Sequence, residues 1–147
     1  MSEKQKRAVE LFDEGFNCAQ SVIAVFANDL PGDTSTALRM AGGFGHGLRS
    51  GEVCGAISGA VMTLGLLTPA DPADPAGSKK RSVALSKELQ KRFSEKFGAL
   101  RCRELLQNKF TPDDTTPAAK AMGLTGHCDI MIVTAVEIVE ELLAERA

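Results

Sequence analysis

One stretch of the sequence, residues 42–67, limits the structures open to this chain because it joins a glycine-dense loop to a run of small and apolar residues. It reads GGFGHGLRSGEVCGAISGAVMTLGLL, and Cys54 stands where the loop gives way to the apolar run. Glycine adopts backbone conformations that other residues avoid and lets another backbone or a ligand approach closely. Gly55 and Gly59 stand four residues apart, so they share one helix face. The stretch therefore predicts a central helix over residues 53–67 that closely contacts another helix or an inorganic cluster.

Phosphate binding and membrane insertion are two further roles for such a stretch, and both fail here. A glycine loop before a helix can bind phosphate, but no lysine follows in the pattern GxxxxGKS or GxxxxGKT, and no strand precedes the loop. A membrane-spanning helix needs about 20 apolar residues. The apolar run in this chain has 15 residues and includes Ser58, Thr63 and three glycines. The sequence therefore predicts neither nucleotide binding nor a membrane span.

Helical periodicity dominates the rest of the chain, without a convincing alternating strand pattern. We expect an all-α, single-domain helical bundle over residues 1–147, with about five main helices and a glycine-rich loop before the central one. The proline-rich segment TPADPADPAGS, residues 68–78, is expected to form a non-helical surface linker. The predicted main helices cover residues 3–14, 18–28, 53–67, 78–97 and 126 onward, with shorter helices near 34–41, 102–106 and 118–122.

Several residues are predicted to mark helix ends. Gly15 and Gly98 should end helices, because glycine readily takes the left-handed conformation found just after the last helical turn. Asn17 should cap the second helix, and Asp33 or Thr34 should cap the short third one, since their side chains can accept hydrogen bonds from the first turn. These residues set the expected end of the first helix, the starts of the second and third helices, and the end of the helix that precedes Cys102.

Composition and charge exclude several classes of protein. The net charge of −2 argues against general nucleic-acid binding, which is normally strongly basic. The start, MSEKQKRAVELF, lacks the apolar core of a secretory signal and is typical of an amphipathic helix. We therefore expect a cytoplasmic protein, a setting in which structural disulfides are rare. The four cysteines are then buried structural thiols, metal ligands or redox groups rather than permanent cross-links.

The four cysteines share one local setting, because each follows a glycine by two to four residues and stands at or near the first turn of a predicted helix. They are Cys18, Cys54, Cys102 and Cys128. A helix start offers unpaired N–H groups and the positive end of the helix dipole, which stabilise a thiolate and lower the pKa of the thiol. Their spacings of 36, 48 and 26 residues match no CxxC pair, zinc finger or linear ferredoxin run. A site shared by the four cysteines can therefore form only through the tertiary fold. The alternative to a shared site is four buried thiols that act as small hydrophobic side chains.

The motifs around these cysteines resemble a known family. They are NCAQSV at Cys18, GGFG with GEVCGAISGA at Cys54, FGALRCRELL at Cys102, and Cys128 at the start of the last helix. Together they resemble the CGAxxG four-cysteine family, whose members are described as redox-active proteins. The pattern is also similar to the helical four-cysteine domain of split-Soret-type cytochromes, which is associated with an iron–sulfur cluster as well as haems. The resemblance implies that the same four cysteines form the site, whereas covalent haem is not implied because no CxxCH motif is present.

Other residues are candidates for contact with a bound cofactor. Gly55 and Gly59 are predicted to let a cluster approach the central helix, and His127 is predicted to contact it because it adjoins Cys128. His46 lies in the glycine loop where we expect a further glycine of the family pattern. Either histidine can act as a ligand, a hydrogen-bond partner or a proton acceptor for a thiol, while solvent exposure is the simpler interpretation.

Charged residues flank two of the cysteines. Arg101 and Arg103 stand on either side of Cys102 and could stabilise a thiolate or an anionic cluster, or simply face solvent. Glu52 precedes Cys54 by two residues and would raise the pKa of that thiol if close to it, or else help to cap the helix. No carboxylate pair or Ser/His/Asp set indicates hydrolytic chemistry.

Three functions fit these features. The favoured one is a redox-active electron-transfer protein whose four cysteines hold a metal–thiolate centre, an iron–sulfur cluster. The second is a cofactor-free thiol–disulfide protein in which Cys54 is the attacking thiol. The third is a zinc-stabilised structural or interaction domain. We expect a redox partner protein. The choice between oxidoreductase and electron carrier, and the question of a homodimer, stay open at this stage.

Overall fold

The computed structural model describes residues 2–30, 32–108 and 116–146, and within these ranges it is built from helices without a β-strand. The predicted all-α class is therefore confirmed. None of the helices in the described ranges is long and apolar enough to cross a bilayer. The helices are α1 (Glu3–Asp13), α2 (Cys18–Ala27), α3 (Asp33–Met40), α4 (Gly55–Leu67), α5 (Pro75–Phe97), α6 (Cys102–Gln107), α7 (Pro117–Met122) and α8 (His127–Arg146).

Helix α8 lies at the centre of the bundle and contacts α1, α2, α4, α5 and α7. Its residues 130–136 are all buried, so this segment is covered on every side rather than along one stripe. The helical periodicity of this part of the sequence predicts a buried face that includes Ile132, Val136, Val139 and Leu143. Val139 is buried as expected, whereas Leu143, near the end of the helix, is only half-buried. The long apolar helix is thus the core around which the others pack.

Helices α2 and α4 make the most extensive contact between two helices in the described ranges. The contact depends on Gly59, because a Cβ atom there would lie 2.5 Å from the carbonyl oxygen of Ala19 and 3.0 Å from its Cα atom. Thr63 sits one turn further along α4 and donates its hydroxyl to the carbonyl oxygen of Gly59 at 2.8 Å. The prediction of a close helix contact at this small-residue face is confirmed.

The predicted helix ends are partly confirmed. Asn17 caps α2 and forms a reciprocal capping box with Gln20. Gly15 and Gly98 have φ of +111° and +75°, the left-handed backbone expected after a helix. The cap predicted for the third helix is wrong. Helix α3 begins at Asp33 itself, because the chain enters it through the left-handed Gly32 at φ +84° without a side-chain cap.

The proline-rich segment is non-helical only in its first part. Helix α5 begins at Pro75 rather than at Ser78, and the carboxylate of Asp74 caps it by accepting a hydrogen bond from the N–H of Gly77 at 3.0 Å. Proline is well suited to the first helical position, because the N–H that it lacks would have no intrahelical partner there. The expectation of a linker through Ser78 is therefore wrong for its last four residues.

The central helix and the short helix predicted near residues 118–122 also differ slightly from the predicted bounds. Helix α4 begins at Gly55, with Cys54 as its N-cap, two residues later than predicted. The single turn expected near residues 118–122 is α7, which has a proline at its start. Part of the Thr-, Pro- and Asp-rich segment before it, residues 109–115, lies outside the described residues.

Replacement of Gly59 by alanine tests the close contact between α2 and α4. The new methyl group would meet the backbone of Ala19, which cannot rotate away, so we expect the free energy of unfolding to fall by about 1–3 kcal/mol. Gly65→Ala is the matched control, since a Cβ atom at Gly65 on the same helix meets nothing within 4 Å. Alanine should stabilise that position by about 0.5–1 kcal/mol. Urea denaturation followed by circular dichroism measures both, and a Gly59→Ala variant as stable as the wild type would contradict the prediction.

Candidate functional site

The four cysteines line one cavity of about 260 Å³. Each comes from a different helix start: Cys18 is the first residue of α2, Cys54 is the N-cap of α4, Cys102 is the first residue of α6, and Cys128 is the second residue of α8. The predicted placement at helix starts is therefore confirmed. Three of the four are buried, Cys128 is half-buried, and all four are free thiols. The tertiary fold brings together residues that are far apart in the sequence.

A short antiparallel bridge between Val53 and Arg101 holds two of the cysteines beside each other. The N–H of Cys54 donates to the carbonyl oxygen of Leu100 at 2.8 Å, and the N–H of Cys102 donates to that of Glu52 at 2.7 Å. Because the two bonds run in opposite directions between the same two segments, they fix the starts of α4 and α6 relative to each other. Sequence reasoning did not predict this bridge.

The side chain of Asn17 ties the start of α2 to the glycine loop. It accepts the N–H of Gln20 at 2.8 Å and donates to the carbonyl oxygens of Ala41 and Gly42 at 3.1 and 3.2 Å. The loop also lies close to Asn17, since a Cβ atom at Gly45 would lie 2.7 Å from the Cβ of Asn17. One residue thus caps the helix that carries Cys18 and anchors the loop that forms part of the cavity wall.

Gly55 and Gly59 have different positions relative to the cavity. Gly55 lines it, and a Cβ atom there would overlap the sulfur of Cys18 and lie 2.8 Å from the carbonyl oxygen of Phe44. The missing side chain leaves the space that the Cys18 thiol occupies. Gly59 is not among the lining residues and instead contacts the backbone of Ala19. Of the two glycines predicted to face a cofactor, the structure brings only Gly55 to the cavity.

Four consecutive residues of the glycine loop have left-handed backbone. The φ values are 52° at His46 and 58° at Gly47, Leu48 and Arg49. Left-handed backbone costs roughly 1–2 kcal/mol for each residue other than glycine, so this turn stores strain beside the thiols. Only Gly47 fits without a penalty, and a Cβ atom there would overlap the backbone of Glu52.

This left-handed turn brings two side chains to the cavity. The Nδ1 atom of His46 lies 3.7 Å from the sulfur of Cys102, and Arg49 joins His46 among the lining residues. Both side chains are exposed to solvent. His46 is therefore exposed, as we expected, and it also contacts the thiol of Cys102. Sequence reasoning missed Arg49, because nothing in the loop except its density of glycines hinted at a left-handed turn.

The remaining predicted site residues fall into two groups. His127 lines the cavity, and burial lowers its pKa below the ordinary value. Arg101 and Arg103 are exposed on the outside and pair with Glu52, whose carboxylate lies 3.6 Å from the Nε of Arg101 and 3.0 Å from an Nη of Arg103. The structure therefore places the two arginines in a surface ion-pair group rather than on the cavity wall.

The expectation of lowered thiol pKa values is wrong for three of the four cysteines. Burial, which disfavours the charged thiolate, raises the pKa of Cys54 to about 12 and that of Cys128 to about 11, and it raises the pKa of Cys102 as well. The backbone N–H groups of Ala56 and Ile57 lower the pKa of Cys54, as a helix start should, but desolvation outweighs them. The charge of Cys18 further raises the pKa of all three, so Cys18 is the common neighbour of the other thiols.

The thiols surround the cavity rather than meeting at one point. Across the described residues, no three side chains of His, Cys, Asp or Glu lie close enough together to hold a single metal ion. The arrangement therefore offers four sulfur donors on the walls of a space several times larger than the ~30 Å³ that one water molecule takes up in the liquid.

The raised pKa of Cys54 predicts how stability depends on pH in the reduced, metal-free chain. The thiol keeps its proton in the folded state up to a pKa of about 12, whereas in the unfolded chain it loses the proton near the ordinary value of 9.0. The stabilisation is thus fully present below pH 9 and is lost as pH rises through that window. The slope from this one thiol approaches about 1.4 kcal/mol per pH unit.

Urea denaturation at several pH values from about 8 to 11 measures this dependence. Lysines and other groups titrate in the same range, so the comparison is with Cys54→Ala. The free energy of unfolding of the variant should fall less steeply with pH than that of the wild type. Equal slopes for the two proteins would show that burial does not raise the pKa of Cys54.

The part of the chain that contains the four cysteines matches a known protein family. A family model described as "Putative redox-active protein (C_GCAxxG_C_C)" matches residues 16–142, a span that contains all four cysteines and the CGAISG segment. No curated protein and no solved structure shows a significant match to the chain. Because the family model covers most of the sequence, the chain belongs to the C_GCAxxG_C_C family.

Proposed function

We propose that Cys18, Cys54, Cys102 and Cys128 hold an iron–sulfur cluster in their shared cavity and that the protein carries electrons. The observation that supports this most directly is the gathering of four thiols from four separate helices around one space. Membership of a family described as redox-active supports the general class of function. The cluster, the electron-carrier role, a redox partner protein and a cytoplasmic location belong to the proposal.

The donor set fits such a cluster. Iron–sulfur clusters are held by cysteine thiolates, four in the common two-iron and four-iron types. In a four-iron cluster each thiolate binds its own iron, so the sulfurs stand apart around the cluster instead of converging on one ion. The four cysteines of this chain line one cavity without converging on the position of a single ion, which is compatible with such a cluster. A structural zinc site would require its four ligands to meet at one ion.

The residues of the chain would contribute in three ways. The four thiols would serve as ligands, Gly55 leaves room at the wall, and the backbone N–H groups at the start of α4 point toward the sulfur of Cys54. The bound cluster would supply one-electron transfer, which thiols alone perform poorly. Metal binding releases the protons of ligating thiols, and its positive charge offsets the desolvation that disfavours thiolates in this cavity.

A second function is supported by the bridge between Val53 and Arg101. It joins the backbone segments that carry Cys54 and Cys102, and both of these thiols are free, which suits a dithiol that cycles to a disulfide. That reaction joins the two sulfurs and passes two electrons and two protons to an oxidant, either a disulfide or an electron carrier. The raised pKa values of both thiols slow the attack that begins such exchange, so we place this function second.

Anaerobic purification followed by assay of iron, zinc, acid-labile sulfide and free thiols tests the two functions together. The cluster proposal predicts iron and sulfide in equal amounts, visible absorbance that bleaches on reduction, and thiols shielded from reagents until the iron is removed. Iron and sulfide near zero would exclude it. An oxidised form without metal and with two fewer free thiols would instead support the dithiol cycle, and one zinc per chain would support a structural site.

Serine replacement of each cysteine in turn tests which thiols take part. Serine binds iron less well than a thiolate, so we expect Cys54→Ser to lose most of its iron and sulfide while the helical circular dichroism spectrum is retained. Gly65→Ala, on α4 outside the cavity lining, is the matched control and should keep its iron. If all four serine variants retain the iron content of the wild type, the cysteines are not its ligands.

A further inference from the structure

The cavity of the four cysteines carries one permanent charge. Arg49 is the only arginine or lysine among the lining residues in the described ranges, and none of those lining residues is an aspartate or glutamate. The chain as a whole has a net charge of −2. Apart from the thiols and any group they bind, the cavity lining therefore contributes a single positive side chain, on a chain of net negative charge.

The neighbouring arginines do not share this property. Arg101 and Arg103 both lie beside the carboxylate of Glu52, which offsets their charge. Arg49 has no carboxylate within ion-pair distance in the part of the chain that the structure describes. Its charge is thus not offset by a carboxylate in the described residues, and Arg49 both lines the cavity and is exposed to solvent.

The left-handed turn places Arg49 at the mouth of the cavity. Arg49 and His46 are exposed, as is Leu106 of α6, whose side chain is 47% exposed and also lines the cavity. Leu48, between the two polar residues of the turn, is 55% exposed. A reactant approaching the buried thiols from solvent therefore meets an arginine and a histidine with apolar side chains beside them.

We propose that, besides the redox partner protein, a small anion drawn to the cavity mouth by Arg49 exchanges electrons with this centre by accepting one from its reduced form. The inference rests on the proposed redox function, because it names the class of reactant for the same site. A cleft with one sign of charge and low-dielectric walls concentrates ions of opposite sign and speeds their arrival by about 10- to 1,000-fold. The strained backbone at residues 46–49 serves this role by holding the guanidinium at the entrance.

Two oxidants of opposite charge test the proposal on the reduced, iron-loaded protein. Ferricyanide and hexaammineruthenium(III) each accept one electron, and stopped-flow absorbance gives the rate for each. In Arg49→Gly we expect the ferricyanide rate at low salt to fall by about 10-fold, while the rate with the cation stays the same or rises. Glycine fits the left-handed backbone better than arginine, so this variant should fold at least as well as the wild type. The difference should disappear near 1 M salt, where the Debye length is about 3 Å.

Two further variants serve as controls. Arg49→Lys keeps the positive charge and should retain most of the preference for ferricyanide. Lys80→Gln removes one charge elsewhere, since Lys80 is exposed near the start of α5. Lys80 follows in sequence the end of α4 opposite to Cys54, and α4 has 13 residues and is thus about 20 Å long. Lys80→Gln should therefore leave both rates unchanged.

If the purified chain contains no iron, the proposed cluster is wrong but the inference is still tested on the thiols. The probes are then two disulfides, the dianionic 5,5′-dithiobis(2-nitrobenzoate) and the cationic cystamine. In each reaction a protein thiolate attacks the disulfide, forms a mixed disulfide and releases one reagent thiolate. Arg49→Gly should slow the reaction with the anion alone.

Two outcomes would overturn the inference. In the first, Arg49→Gly reacts with the anionic probe as fast as the wild type. In the second, the variant changes the rates with both probes by the same factor, which would mean that Arg49 acts on the centre itself rather than on the approaching reactant.

Discussion

The close approach of α2 and α4 determines the geometry of the whole site. At two positions on α4 a glycine, which has no side chain of its own, lies directly against α2: Gly59 against the backbone of Ala19, and Gly55 against the sulfur of Cys18. Steric repulsion rises more sharply with decreasing distance than any other interaction in a protein interior. These two contacts therefore set the separation of the helices more firmly than any hydrogen bond could. If the helices stood one methyl group further apart, the Cys18 thiol would no longer lie against the start of α4.

Hydrogen bonds and helix packing then fix the remaining walls of the cavity. The bridge between Val53 and Arg101 sets the start of α6 beside that of α4, and Asn17 ties the glycine loop to the start of α2. Helix α8 brings in the fourth cysteine through its packing on α2 and α4. The site therefore depends on three kinds of interaction acting between segments that are distant in sequence.

The sequence predicted the features that arise locally. Helix periodicity, the Asn17 cap and the left-handed glycines at positions 15 and 98 depend on a few neighbouring residues, and so does the position of each cysteine at a helix start. The thiol pKa values could not be predicted, because burial depends on the tertiary fold and outweighs the helix start. The turn at residues 46–49 was missed for a related reason, since three of its four residues are not glycine and their conformation is imposed by the surroundings. Arg49 was missed along with it.

The arrangement of one cysteine at each of four helix starts also concerns folding. Any group held by all four residues closes three loops in the chain, with spacings of 36, 48 and 26 residues. Closing a loop of such length restricts the unfolded chain by roughly 3–4 kcal/mol in the chain-entropy description used for disulfides. The same four residues that create the chemistry would thus act as reversible cross-links in a domain without permanent ones. Binding at the site and folding would thus be linked equilibria, so that occupancy raises the free energy of unfolding.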